Sequence, residues 1–441
     1  MPLTTPHVAA LLVAIAISSC QAGEAPDAPD CAAPGDADAT TADGAPVPVY
    51  EGFGLPVIAI CADPGALTAL DARTAEPDAL EIEVAVDFDG VHYEDVEMEL
   101  HGGFARTVAK KSYRLEFEGD GLPFPFDGEA DPDEQRHLVL QASWIDPTWL
   151  RNDLTFASIR ALGGLAPRTG HAVVYLNGVR HGLYQVIERV DRRFLEHHEL
   201  DEDANLYKAV DHRANWAAKP HPIDGFEHKI NEDNPTSDLG PFLDALTSTP
   251  ADAASFAAGV EPVLHLDDWF TYQLVHSYAL NQDAFTKNYY LYHDLDAPPG
   301  APAARFRVIS WDADATWGQD WDGGAIPVDS WPGRGLGVGV NEWHGRDSFS
   351  PRILGIEAYR ERYLERALAA LDGPIADAVL DARASARGAA IADAARDDLA
   401  RWQPERDFDQ ELARLREAVA TRHAALRARI EALEDDDEDP R

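Results

Sequence analysis

Residues 281–288 read Asn281-Gln282-Asp283-Ala284-Phe285-Thr286-Lys287-Asn288. They join an apolar run, Leu266 to Leu280, to an aromatic one, Asn288 to His293. The first run has helical spacing, with Asp267 as its candidate cap. The second is short and rich in Tyr, as a strand should be. A helix, a polar loop and a strand in this order mark a change of character that begins near Pro262. Downstream, Phe306 to Ser310 is a second strand, and Trp311-Asp312-Ala313-Asp314-Ala315-Thr316-Trp317-Gly318 follows it directly. Residues 318 to 347 are rich in Gly, Trp and Asp and are expected to form an ordered loop. From about Ile353 the pattern is helical. Phe408, Leu412, Leu415, Val419, Leu426 and Ile430 keep a three-four spacing up to an acidic tail.

Upstream the pattern is strands. Leu55 to Ile60 is an unbroken apolar run. Ile82 to Asp87 and Val91 to Leu100 flank Asp89-Gly90 as a hairpin. Lys110 to Phe117 alternates, with Tyr113, Leu115 and Phe117 on one face. Leu138 to Ala142 is a short strand, and Thr148 to Leu162 is a helix ended by Gly163-Gly164. Asn177-Gly178, between Ala172–Leu176 and Gly182–Ile187, is the strongest short-range hairpin signal. Ala204 to Ala209 is a further strand. A strand-rich first part and a helix-rich second part predict an α+β fold with a cleft where the parts meet.

With 441 residues, 45% of them hydrophobic, the chain can bury one large core or two ordinary ones. Its 78 acidic and 37 basic residues give a net charge of -41, which disfavours nucleic acid and anionic lipid surfaces and leaves divalent cations welcome. Residues 1–20 have the pattern of an export signal. Leu11 to Ile17 is too short to span a bilayer, and Ile17-Ser18-Ser19-Cys20 resembles a lipoprotein cleavage site with Cys20 as the acylated residue. The segment Met1 to His7 departs from that pattern in having no Lys or Arg. Residues 21–50 form an acidic spacer. Residues 51–345 are expected to form the core, 346–434 its helical part and 435–441 the tail. Cys31 and Cys61 remain as candidates for one disulfide in an oxidising compartment. These features predict an exported lipoprotein of the cell envelope that meets the membrane only through its anchor.

Three constellations carry chemistry. Asp283 with Asn288 five residues on suits proton acceptance beside a metal. Asp312 and Asp314, two apart at a strand end, can turn both carboxylates into one cleft as ligands for Mg²⁺ or Mn²⁺. Lys110, Lys111, Arg114 and Lys208 form a cationic set, with Glu188 as the acid to hold a lysine. No Walker A loop, glycine-rich G-x-G-x-x-G, zinc spacing or G-x-S-x-G elbow is present.

In order along the chain, these segments resemble the CotH (spore coat protein H) kinase family. The likeness also takes in Leu55-Pro56-Val57-Ile58, Leu150-Arg151-Asn152 and Leu176-Asn177-Gly178 with Gly182-Leu183-Tyr184. It continues through Glu188-Arg189-Val190-Asp191, Asn205-Leu206-Tyr207-Lys208 and Tyr289 to Tyr292, and it covers about residues 51 to 430. The resemblance implies an atypical protein-kinase-like fold with a nucleotide cleft, using ATP and Mg²⁺ or Mn²⁺ to phosphorylate Ser or Thr of exported or cell-surface proteins. It assigns Asp283 as catalytic base, and Asn288, Asp312 and Asp314 to the metal. Lys110 or Lys111, with Glu188 and Lys208, would serve the nucleotide. The family's Arg-Gly-Asn-Ser type segment is here His101-Gly102-Gly103-Phe104-Ala105-Arg106.

The alternative is a non-catalytic adhesion or assembly protein on a kinase-like scaffold, motivated by that altered turn and by Trp317, Trp321, Trp331 and Trp343. A calcium-dependent structural role, motivated by Asp320 and Asp322, is weaker.

Overall fold

The computed structural model describes residues 50–74, 80–234, 238–329 and 348–435, together with the short strands Val340–Asn341 and Gly345–Arg346. The expected signal with Cys20, the spacer with Cys31, Trp331, Trp343 and the tail from residue 436 lie outside the described residues.

The first part comprises β1 (Val57–Ala62), α1 (Pro64–Asp71), β2 (Glu81–Phe88), β3 (Val91–Leu100) and β4 (Tyr113–Glu116). A two-residue ladder, β5 (Leu122–Pro123) with β6 (Glu134–Gln135), precedes β7 (His137–Gln141). Then come α2 (Arg151–Ala161), β8 (Thr169–Leu176) and β9 (Val179–Glu188). Seven of these strands close a barrel in the order β1-β2-β3-β4-β7-β9-β8. Every pair is antiparallel except β8 with β1. Closure leaves no unpaired edge. Ile58, Val86, Met98, Leu115, Leu140 and Val186 join one apolar cluster of the barrel.

Both hairpins form where the turn residues tolerate positive φ: Asp89 at 49° with Gly90 at 79°, and Asn177 at 49° with Gly178 at 75°. The alternation expected in β4 is present, with Tyr113, Leu115 and Phe117 buried. Its ladder starts only at Tyr113, because Lys110 and Lys111 are turned to partners elsewhere. Cys61 is buried in β1 and disulfide-bonded.

The second part adds α3 (Arg192–His197), β10 (Asn205–Ala209), β11 (Phe226–Ile230), α4 (Leu239–Ser248), α5 (Ala253–Gly259) and α6 (Leu266–Tyr278). After β12 (Tyr289–His293) and β13 (Arg307–Ser310) come α7 (Ser350–Leu354), α8 (Glu357–Leu371), α9 (Asp377–Trp402) and α10 (Phe408–Asp435). The strands form an antiparallel sheet ordered β11-β10-β12-β13. The fold is thus a mixed one, strand-rich first and helical later. His265, not Asp267, is the N-cap of α6; Asp267 instead reaches Arg362 at 2.7 Å and Arg366 at 3.0 Å. Trp317 is core and Trp321 is exposed, while Asp322 Oδ1 accepts from Gly324 N at 2.8 Å, which is turn chemistry.

Two apolar clusters weld the parts. Ala59 and Val173 on the outer barrel wall join the core of α6 and α8 to α10. Val139, Phe156, Ile187, Leu206, Tyr290 and Trp311 join the barrel to the second sheet. Helix α9 is also pinned electrostatically. Its Asp398 accepts from Lys110 Nζ at 2.6 Å and from Leu183 N at 2.7 Å.

Candidate active site

A cleft of about 740 Å³ opens where the barrel faces the second sheet. One wall is the 101–106 turn with Arg114, Gln141 and Arg189. The other carries Lys208, Asp283, Asn288, Asp312 and Asp314. Residues far apart in sequence therefore meet as expected, with catalytic and metal candidates on one side.

The 281–288 loop is rigidly held. Gln282 N donates to Ala315 O at 3.1 Å, Phe285 N to Tyr272 Oη at 3.1 Å and Asn288 N to Ala209 O at 3.0 Å. Leu280, Phe285 and Asn288 have φ of 54°, 71° and 59°, a conformation that persists only where the surroundings impose it. Asn288 Nδ2 donates to Asp283 Oδ2 at 2.9 Å and to its carbonyl at 3.1 Å, and Lys287 Nζ reaches Asp283 Oδ2 at 2.8 Å. The carboxylate is aimed through Oδ2 by two neighbours from its own loop.

His276, at the end of α6, links this loop to β13. Burial holds the imidazole neutral, pulled down to about 3. Its Nδ1 accepts from Asn281 Nδ2 at 3.0 Å, so its Nε2–H donates to Ser310 Oγ at 2.8 Å. Asn281 Oδ1 in turn accepts from Asp283 N at 2.8 Å. Asp283 and the strand end carrying Asp312 are thereby set in one frame.

Asp312 has φ of 55°, which folds the 312–314 segment back toward Asn152. Asn152 Oδ1 accepts from Ala313 N at 2.7 Å, and its Nδ2 donates to Gln141 Oε1 at 2.9 Å. Gln141 Nε2 donates to Asp314 Oδ2 at 2.9 Å. Burial raises the Asp312 carboxyl, as does Asp283, against Lys287 and Lys208. Burial also raises Asp314 well above the usual range, reinforced by Asp312, Asp146 and Asp283. The two carboxyls share a hydrogen bond.

Such crowding of acids is what a divalent cation relieves. Among the described residues no three His, Cys, Asp or Glu side chains stand as a ready-made ligand cluster. Mg²⁺ suits this arrangement, since it commonly takes only one or two carboxylates and fills the rest with phosphate and water. Asn288 has only Oδ1 to offer, its amide NH₂ being committed to Asp283.

Three sequence expectations are corrected. Lys110 does not line the cleft. It is fully buried, donates to Leu183 O and Asp398, and stacks 4.3 Å over the Tyr184 ring. Burial pushes its ammonium down and Asp398 up, each opposed by the other. Lys111 donates to Arg106 O and Val108 O, both at 2.7 Å, so it braces the 101–108 turn rather than lining the cleft. Glu188 holds no lysine. It is buried against Arg168, whose Nη2 lies 2.6 Å away. Lys208 does line the cleft, 5.6 Å over Trp311 and 5.8 Å over Tyr290.

Sequence reasoning assigned no role to Lys287, Asn152 and Arg189, which lie in the segments that carry the resemblance, and passed over Gln141 and His276. Arg189 directly follows Glu188 at the end of β9 and lines the cleft, while Glu188 is paired with Arg168.

The CotH kinase protein family model matches residues 98–426. The inner spore coat protein H of Bacillus subtilis (strain 168) is 28% identical over 288 residues, covering 63% of this chain and 72% of that protein. Among solved structures, the Shewanella oneidensis MR-1 toxin–antitoxin complex of HipA, HipB and operator DNA matches at a TM-score of 0.29 and 15% identity. That match covers 74% of this chain and 68% of the other, a superposition too loose to bear on fold or function. The family match spans about three-quarters of the chain, takes in every cleft residue named above, and makes this protein a member of the CotH kinase protein family.

Proposed function

We propose that the chain is an ATP-dependent phosphotransferase of kinase-like fold that phosphorylates Ser or Thr hydroxyls of exported or cell-surface proteins with Mg²⁺ or Mn²⁺. The observation that carries this reading is the meeting of Asp283, held by Asn288 and Lys287, with the Asp312–Asp314 pair and Lys208 in one cleft. Phosphoryl transfer needs a positioned proton acceptor, anionic ligands for a divalent cation and cations for phosphate oxygens, and little else from the protein. Family membership supports the same class.

In this mechanism Asp283 accepts the proton of the acceptor hydroxyl as its oxygen bonds to the terminal phosphorus. The bond from that phosphorus to the bridging oxygen breaks, and ADP leaves. Lys208 and Lys287 offer positive charge to the phosphate oxygens. Asp312, Asp314 and Asn288 Oδ1 would hold the metal, which when bound supplies further charge neutralisation. The turn at 101–106 forms one cleft wall and would cover the nucleotide, braced by Lys111. The chain is proposed to act in the cell envelope, anchored at Cys20.

Thermal unfolding tests the metal half of this reading. Without metal, Asp312→Asn should melt no lower than the parent, since it removes like-charge repulsion and keeps a side chain that tolerates the positive φ. Mn²⁺ with ATP should raise the parent's Tm by several degrees, about 2–3 kcal/mol at saturating ligand, and EDTA should reverse the rise. The variant should not respond. A parent indifferent to metal and nucleotide would favour the non-catalytic assembly role, for which exposed Phe104 and Trp321, 6.4 Å apart at the cleft, offer a contact surface.

A further inference from the structure

Besides its acidic residues the cleft holds four cationic side chains around His101. Burial first, and then Lys208, Arg189, Arg114 and Arg106, hold its imidazole neutral, down to about 3. His101 packs edge-on to Trp311 at 6.2 Å, and Lys208 lies over the same Trp311 ring.

These cations differ in what they already hold. Arg114 reaches Glu99 at 3.1 Å and Glu81 at 3.3 Å. Arg106 donates to Leu100 O and Gly102 O, each at 3.0 Å. Arg189 enters no ion pair with the described residues, and its buried Nη1 has no hydrogen-bond partner. Asp191 and Glu116 are near enough to favour its charge, yet burial and Arg114 still push its guanidinium below the usual range. An under-compensated guanidinium in a cleft wall is costly unless something anionic arrives.

We propose that Arg189, together with Lys208 of the same cleft, forms an oxyanion seat for the polyphosphate chain of the nucleotide. This deepens the phosphotransfer reading and rests on it for the identity of the natural ligand. Three observations choose polyphosphate over an acidic side chain. Lys208 is also close enough to Asp312 to favour its charged form, so one cation adjoins both the seat and the metal candidates, as a bridging phosphate chain requires. Lys110 and Lys111, the sequence candidates for phosphate, are committed elsewhere. The sequence also has neither Walker A nor G-x-G-x-x-G spacing, and a guanidinium fork matches phosphate oxygens.

The probe is inorganic tripolyphosphate, titrated calorimetrically into the full-length protein without metal. The chain's net charge of -41 repels polyanions in general, so binding here needs a local seat. Arg189→Gln should weaken tripolyphosphate by about 10- to 100-fold, the range for losing a charged hydrogen bond. Arg189→Lys should recover part of it. In turnover, KM for ATP should rise more than kcat falls. If Arg189→Gln fails to fold, Lys208→Gln should show the same direction. Tripolyphosphate that does not bind the parent, or binds Arg189→Gln equally well, overturns the seat. Arg189-dependent binding without any phosphotransfer keeps the seat and removes the kinase reading instead.

Discussion

Asp283→Ala is expected to lower phosphotransfer by about 10²- to 10⁴-fold, the usual worth of a positioned general base. The geometry says why the effect belongs to rate and not to folding. Asp283 is half-buried, and its partners Asn288 and Lys287 belong to the same short loop and can turn to water. The loop itself is held by backbone bonds and by His276 through Asn281, none of which needs the Asp283 carboxylate. Asp283→Asn should therefore melt near the parent and be almost as inactive as Asp283→Ala. Single-turnover assays with labelled ATP measure this. Undiminished transfer by Asp283→Asn would exclude the carboxylate as proton acceptor.

The largest expected loss of stability lies outside the cleft. Lys110→Met should cost about 3–5 kcal/mol, because it leaves Asp398 buried without its ammonium. Urea denaturation would read it as a lower midpoint at unchanged slope. The Lys110→Met/Asp398→Leu double variant should recover much of the loss, since both charges then leave the interior. Gly182→Ala tests the same lock without touching charge. Gly182 has φ of 131°, and an added Cβ would sit 2.0 Å from Asp398 Oδ2, so the carboxylate must be displaced. A Lys110→Met protein of normal stability with an impaired KM for ATP would instead restore Lys110 to the phosphates.

The contrast between Asp312 and Lys110 shows what sequence can and cannot disclose. Asp312 and Asp314 were legible because the preceding strand, Arg307–Ser310, is short and apolar, and acids at such an end have few other uses. The hairpins were legible through Asp89-Gly90 and Asn177-Gly178, whose backbone demands are local. Lys110 was misread because its partner, Asp398, lies 288 positions away on a helix whose docking no local pattern encodes. Helix α2 shows the same limit. Arg151, Asn152, Asp153 and Thr155 are all buried in it, so polarity does not mark its solvent face, and Asn152 became visible as a support for Ala313 only in three dimensions. His276 sits in an apolar helix and gives no sign from sequence that it ties Asn281 to Ser310. Arg189 was hidden by its neighbour. Glu188 looked like the useful residue of the pair, and it is the one paired away from the cleft with Arg168.

The most direct test of phosphotransfer is incorporation of the labelled terminal phosphate of ATP into the protein itself or an added Ser/Thr-containing acceptor, with Mn²⁺ or Mg²⁺, beside Asp283→Ala and Asp312→Ala. The account predicts metal-dependent label on the parent that both variants lose while remaining folded. A folded parent that takes up no label with either metal, and whose Tm nucleotide does not shift, would contradict it.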